Sequence, residues 1–78
     1  MMSSEQCRAA RAWLNWTQQE LARQAHVGLS TVKEFEKGER KTIAATAEAM
    51  QRALADAGIE FLDESGEAVG IRRKLTAD

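Results

Sequence analysis

Seventy-eight residues make room for one small domain and exclude a second. With 44% hydrophobic and 29% charged residues the composition is that of a globular protein, and no run of about 18 apolar residues offers a membrane span. One cysteine and one histidine exclude an internal disulfide and a four-ligand zinc site, and the net charge of −1 excludes the strongly basic balance common in nucleic-acid-binding domains.

The N-terminus, MMSSEQCRAAR, lacks the apolar core of a signal peptide, so a reducing cytoplasm is the expected setting. Ser3 or Ser4 is suited to cap a first helix, with Glu5 in its first turn. Cys7, Ala10 and Leu14 recur at three- and four-residue spacing and give that helix one apolar face. Asn15-Trp16 interrupts the pattern. Thr17-Gln18-Gln19-Glu20 has the form of a capping box, in which the Thr17 hydroxyl accepts from the Glu20 amide and the Glu20 side chain reaches back. A second helix follows with Leu21, Ala22 and Ala25 inward, then a turn at His26-Val27-Gly28. The third helix runs from about Leu29 to Lys37 with Val32 and Phe35 inward, and Gly38 stops it. A polar connector, Glu39-Arg40-Lys41, leads to a fourth helix from about Ala44 to Ala57, striped by Ala47, Met50 and Leu54 and ended by Gly58.

The period then changes. Ile59-Glu60-Phe61-Leu62, a turn at residues 63–67, and Ala68-Val69-Gly70-Ile71-Arg72 read as a β-hairpin. Two strands alone are marginal in water, so the hairpin must pack on the helices or pair with another chain.

Composition also weighs against an enzyme. There is no tyrosine, all three aspartates fall in the last third, and no Gly-rich phosphate loop, HExxH or GxSxG is present. No catalytic residue, metal or cofactor is expected. Charge is uneven: residues 1–41 carry +2 and residues 42–78 carry −3, which tilts any nucleic-acid contact toward the N-terminal half.

Two short helices joined by a tight turn, Gln18 to Ala25 and Leu29 to Lys37, form a helix-turn-helix pattern. Small Ala22 lets the helices cross closely. Leu21, Val27, Val32 and Phe35 wedge them at a fixed angle, which frees the outer face of the second to enter a major groove. The stretch TQQELARQAHVGLSTVKEFEKGER resembles the helix-turn-helix of the lambdoid phage repressor and Cro (Xre-type) regulators, in Gln18, Glu20-Leu21-Ala22, Val27, Val32, Phe35-Glu36 and Gly38. The resemblance covers residues 5–62, and Ala53-Leu54 with Ala57-Gly58-Ile59-Glu60-Phe61 is similar to the ALxxAGxEF ending of a bacterial subgroup.

The resemblance implies a mainly helical fold: a four-helix repressor-like DNA-binding domain over residues 1–62, with its motif at 18–37. Residues 63–78 are then the hairpin's return strand and a tail of the same single domain. It implies that Leu29, Ser30, Lys33 and Glu34 face bases, that Thr17, Gln18, Lys37, Arg40 and Lys41 contact the DNA backbone, and that Arg11 and Glu36 pair to tie the first helix to the third. Two departures stand out. His26 occupies a turn position usually held by glycine, and histidine is among the residues that tolerate positive φ. The recognition helix also lacks the Gln, Asn or Arg that make bidentate base contacts, so specificity leans on DNA shape.

The implied function is a transcriptional regulator of a bacterium or mobile element, a repressor or activator. It binds double-stranded DNA at an inverted repeat as a homodimer, with Ile59, Phe61, Val69 and Ile71 as the expected dimer contacts. The rival is a protein-interaction module on the same fold, an antiactivator or an antitoxin with a protein partner. The acidic pI of about 5.8 favours the rival; Gln18, Lys37, Arg40 and Lys41 on one expected face favour DNA. Cys7 is expected to be a buried apolar group, and Trp13 and Trp16 to serve packing. Arg72-Arg73-Lys74 reads as a solvated tail or a clamp on phosphates.

Overall fold

Three tight chain reversals shape the helical part of the protein. The computed structural model describes residues 1–39 and 42–74. Its elements are α1 (Ser4–Leu14), α2 (Gln18–Ala25), α3 (Leu29–Glu36), α4 (Ala44–Asp56), β1 (Ile59–Glu64) and β2 (Glu67–Arg73). Helices α1, α2 and α3 end in the same way, on one residue in the left-handed region: Asn15 at φ 58°, His26 at 59° and Gly38 at 82°. At each, the next N–H reaches back to a carbonyl of the last turn: Trp16 to Arg11 at 2.9 Å, Val27 to Ala22 at 3.0 Å and Glu39 to Glu34 at 3.3 Å. These are Schellman motifs. Gly38 adopts the conformation freely, whereas His26 does so against its Cβ, a cost of roughly 1–2 kcal/mol for an ordinary L-residue.

The helix starts differ from the sequence expectation. The complete capping box belongs to α1: the Gln6 N–H donates to Ser3 Oγ at 3.0 Å, and the Ser3 N–H to Gln6 Oε1 at 2.8 Å. At α2 only half of the box forms. The Glu20 N–H donates to Thr17 Oγ1 at 3.0 Å, but the Glu20 carboxylate turns to the Arg23 guanidinium and to Gln24 Nε2 instead of reaching back. A cationic donor one turn along competes better for a carboxylate than a neutral backbone amide does.

The core is small and lies where α1, α2, α3 and α4 converge. Leu21, Val32, Met50, Leu54 and Ile59 are fully buried, with Cys7, Ala10, Ala22 and Ala47 between them. Each large side chain contributes roughly 1.5–3 kcal/mol by leaving water. Phe35, expected inward, is half-buried at the edge of this cluster, as are Leu14 and Trp16.

The hairpin turns on Ser65-Gly66, with φ 54° and 85°, between the paired residues Glu64 and Glu67. Positive φ at both central residues is the type I′ geometry whose twist suits a two-residue hairpin, so β1 runs two residues and β2 one residue closer to the turn than their alternation implied. Antiparallel pairing continues through Leu62↔Gly70, Phe61↔Ile71 and Ile59↔Arg73, with a bulge that leaves Val69 unpaired. One buried side chain holds the bulge: Gln6 Nε2 donates to the carbonyls of both Leu62 and Gly70 at 2.9 Å. The hairpin therefore folds back on its own helices, β1 against α4 and β2 against α1. This corrects one expected dimer contact. Ile59 is 1% exposed inside the protomer's own core and has no surface left for a partner.

Candidate nucleic-acid interface

α2, the His26 turn and α3 form the expected helix-turn-helix. On α3, Ser30, Lys33 and Lys37 (the residue that caps the helix) are exposed, and Glu34 is half-exposed. Their spacing of three and four residues places them on one face. Leu29 is half-buried against the core, so it offers only part of its surface outward. Thr17 is exposed and Gln18 half-exposed at the start of α2, where the first backbone N–H groups of a helix have no intrahelical partner and favour an anion. Arg40 and Lys41 lie outside the described residues.

The opposite face of α3 carries its anchor. Glu36 follows Val32 by one turn, and both side chains are buried. A buried carboxylate needs partners, and Glu36 has three. Arg11 grips it with both ends of a fork, Nε to Oε2 at 2.7 Å and Nη2 to Oε1 at 2.8 Å. Gln18 Nε2 donates to Oε1 at 3.0 Å, and the Cys7 thiol donates to Oε2 at 3.2 Å. Arg11 also donates to the Trp16 carbonyl at 2.9 Å, and Arg8 to the carbonyl of Glu36 at the end of α3. One carboxylate thus joins α1, α2 and α3, and the fork geometry fixes their relative orientation.

The electrostatics follow from these bonds. Burial alone would raise the Glu36 carboxyl, but the hydrogen bonds from Arg11, Gln18 and Cys7 outweigh it and hold the group below the usual carboxylate range. The same carboxylate holds Arg11 charged, above the ordinary arginine value. Burial, reinforced by the bond to Glu36, pushes the Cys7 thiol far up, so it stays protonated.

The structure brings together Arg11 and Glu36 as the resemblance implied. Gln18 and Cys7 as further partners of Glu36 were not foreseen, nor was the Gln6 clamp. One signal for the cluster was available: a glutamate four residues after Val32 on the inward face of a helix demands several donors.

Two short helices joined by a tight turn, the second presented outward, have the geometry of a helix-turn-helix. The helix-turn-helix profile HTH_3 matches residues 8–56, from within α1 to the last residue of α4. The chain belongs to that family, the Xre and lambda-repressor-like DNA-binding regulators. No curated protein matches it. The hairpin lies beyond the matched residues. Among the described residues, no helix is long and apolar enough to cross a membrane.

Proposed function

We propose that the protein is a sequence-specific transcriptional regulator that binds an inverted-repeat operator as a homodimer, with α3 in the major groove. The observation that carries this reading is the alignment of Ser30, Lys33, Glu34 and Lys37 on the one face of α3 turned away from the Glu36 anchor. Leu29, Ser30, Lys33 and Glu34 meet base edges: Ser30 bonds in either sense, Glu34 accepts from cytosine N4, and the outer part of Leu29 packs on a thymine methyl. Thr17, Gln18, Lys37, Arg40 and Lys41 meet phosphates. The Gln18 amide is already bonded to Glu36, so its share is the backbone N–H at the start of α2. With so few reading groups, selectivity rests in part on DNA shape.

Phe61, Val69 and Ile71 of the hairpin contribute to the dimer. A two-fold axis sets the recognition helices about 34 Å apart, and the half-sites about 10 base pairs apart or a whole-turn multiple of that. Selection of bound duplexes from a random DNA pool tests the reading. Enrichment of a near-palindrome with that spacing supports it. A pool that stays random after repeated rounds overturns it in favour of a protein-interaction module.

A further inference from the structure

The two tryptophans part company in the structure. Trp16 is half-buried against the core, whereas Trp13, also expected to serve packing, is 57% exposed. A large apolar side chain left in water marks an interaction surface when others gather beside it. Val69 does so, at 56% exposed.

Both residues border the seam between α1 and β2. One groove of about 200 Å³ lies between Glu5 and Ala9 of α1 and Val69 and Ile71 of β2. A second lies further along, where Trp13 and Leu14 share their lining with Arg73 and Lys74. α1 and β2 therefore run side by side in the same sense. The seam carries an acid at one end, an indole with two cations at the other, and apolar groups between. Glu5, Ala9 and Trp13 follow one another at four-residue spacing on one side of α1, so Glu5 and Trp13 stand about 12 Å apart along the helix.

We propose that this seam is the seat of a second copy of this chain, set antiparallel about a two-fold axis that crosses α1 at Ala9, so that Trp13 of each copy enters the groove between α1 and β2 of the other. This names the interface of the homodimer proposed above and rests on that reading. The spacing carries it. Rotation about Ala9 brings residue 13 of one helix level with residue 5 of the other, which is the level of the groove. The same rotation brings Arg73, which shares the Trp13 end, to the end that carries Glu5. Symmetry repeats both contacts, so the face is complementary to itself and the pair closes. Within one chain Arg72 already pairs with Glu60 at 2.9 Å, and among the described residues no carboxylate pairs with Arg73. Ala9 meets Ala9 at the axis, where a methyl lets two helices approach closely, and the indole is a stiff, large anchor of the kind that dominates interfaces. No strand is added to the sheet, so the bulge and the bond from Gln6 to the Gly70 carbonyl stay as they are. The seam is also separate from the face toward α3: Cys7, Arg8 and Arg11 bond to α3, while Glu5, Ala9 and Trp13 line the grooves along β2.

Sedimentation of the full chain without DNA tests the proposal. The parent's mass should rise from one chain to two as concentration is raised from micromolar to millimolar. Trp13→Ala and Val69→Glu should each remain a single chain with an unchanged melting temperature. Glu5→Arg and Arg73→Glu should each weaken association about tenfold, and an equimolar mixture of the two should associate like the parent, because only the mixed pair sets unlike charges together at both ends. A parent that stays single at millimolar concentration, a Trp13→Ala or Val69→Glu chain that associates like the parent, or a mixture that associates no better than its components overturns the proposal. Binding of one half-site duplex, followed on the same variants, reads the regulator function separately. Unchanged half-site affinity in Trp13→Ala supports two independent faces.

Discussion

The helix-turn-helix and the hairpin are fastened to α1 by opposite means. α3 is held by a buried carboxylate with four side-chain hydrogen bonds from three residues. The hairpin is held by Ile59, Phe61 and Ile71 against the core and by one amide at the bulge. Apolar contact is non-directional and sets how close two elements lie. Hydrogen bonds to a charged group set the angle as well. A helix proposed to enter a groove in a defined orientation needs the second kind of fastening; a hairpin that covers apolar surface needs only the first. Charge differs too: the α3 face carries Lys33 and Lys37 against one carboxylate, Glu34, whereas Asp63, Glu64 and Glu67 lie at the hairpin tip.

The comparison breaks most visibly at Glu36. Glu36→Ala strands the Arg11 charge, which should cost about 3–5 kcal/mol, toward the lower end because Arg11 keeps some contact with water. Thermal melting reads this, and a shift within error would mean the carboxylate fastens nothing. The hairpin counterpart is Ile59→Ala, expected to cost about 2–5 kcal/mol, while Val69→Ala should stay within about 0.5 kcal/mol. Equal effects at the two positions would contradict their burial.

Acid separates the two fastenings further. The Glu36 carboxyl lies below its unfolded value, so its contribution is fully present above about pH 4.3 and fades as pH falls from there through the folded value. Melting temperature should therefore drop through that acid range, and Glu36→Gln should flatten the drop. On the outer face of α3, if it reads bases as proposed, Ser30 and Glu34 variants should change which bases are preferred, by about 1–3 kcal/mol per lost contact. Lys37→Ala should weaken all duplexes alike and reduce the salt dependence, as titrations at several salt concentrations will read. A stabilising change is expected at the turn. His26→Gly should stabilise the protein by about 1 kcal/mol, because glycine adopts φ 59° without strain; a lower melting temperature would mean that the imidazole makes a contact of its own.

The four helices and the hairpin were legible because each rule involved is local. Apolar spacing marked the helices and its interruption at Asn15-Trp16 ended the first, while His26 and Gly38 marked the other ends through single-residue conformational preferences. The tertiary features were much less legible. Which donor Glu20 prefers depends on Arg23 and Gln24 one turn away, so the Thr17 box looked complete in sequence and is half-formed in space. Gln6 reads as an ordinary polar residue of α1, and only the fold brings a bulged strand 64 positions later under its amide. Ile59 and Val69 look alike in an alternating pattern. The bulge and the packing on α4 send one into the core and leave the other in water.

Cys7 gives the protein a clock. Its thiol lies at the contact of α1 and α3, donates to Glu36 and stays protonated, and a buried, protonated thiol reacts slowly with alkylating reagents. Reaction requires the two helices to part, so the rate of modification counts local opening events rather than chemistry. A single native atom thus times how often α3 comes loose from its support, with no residue changed.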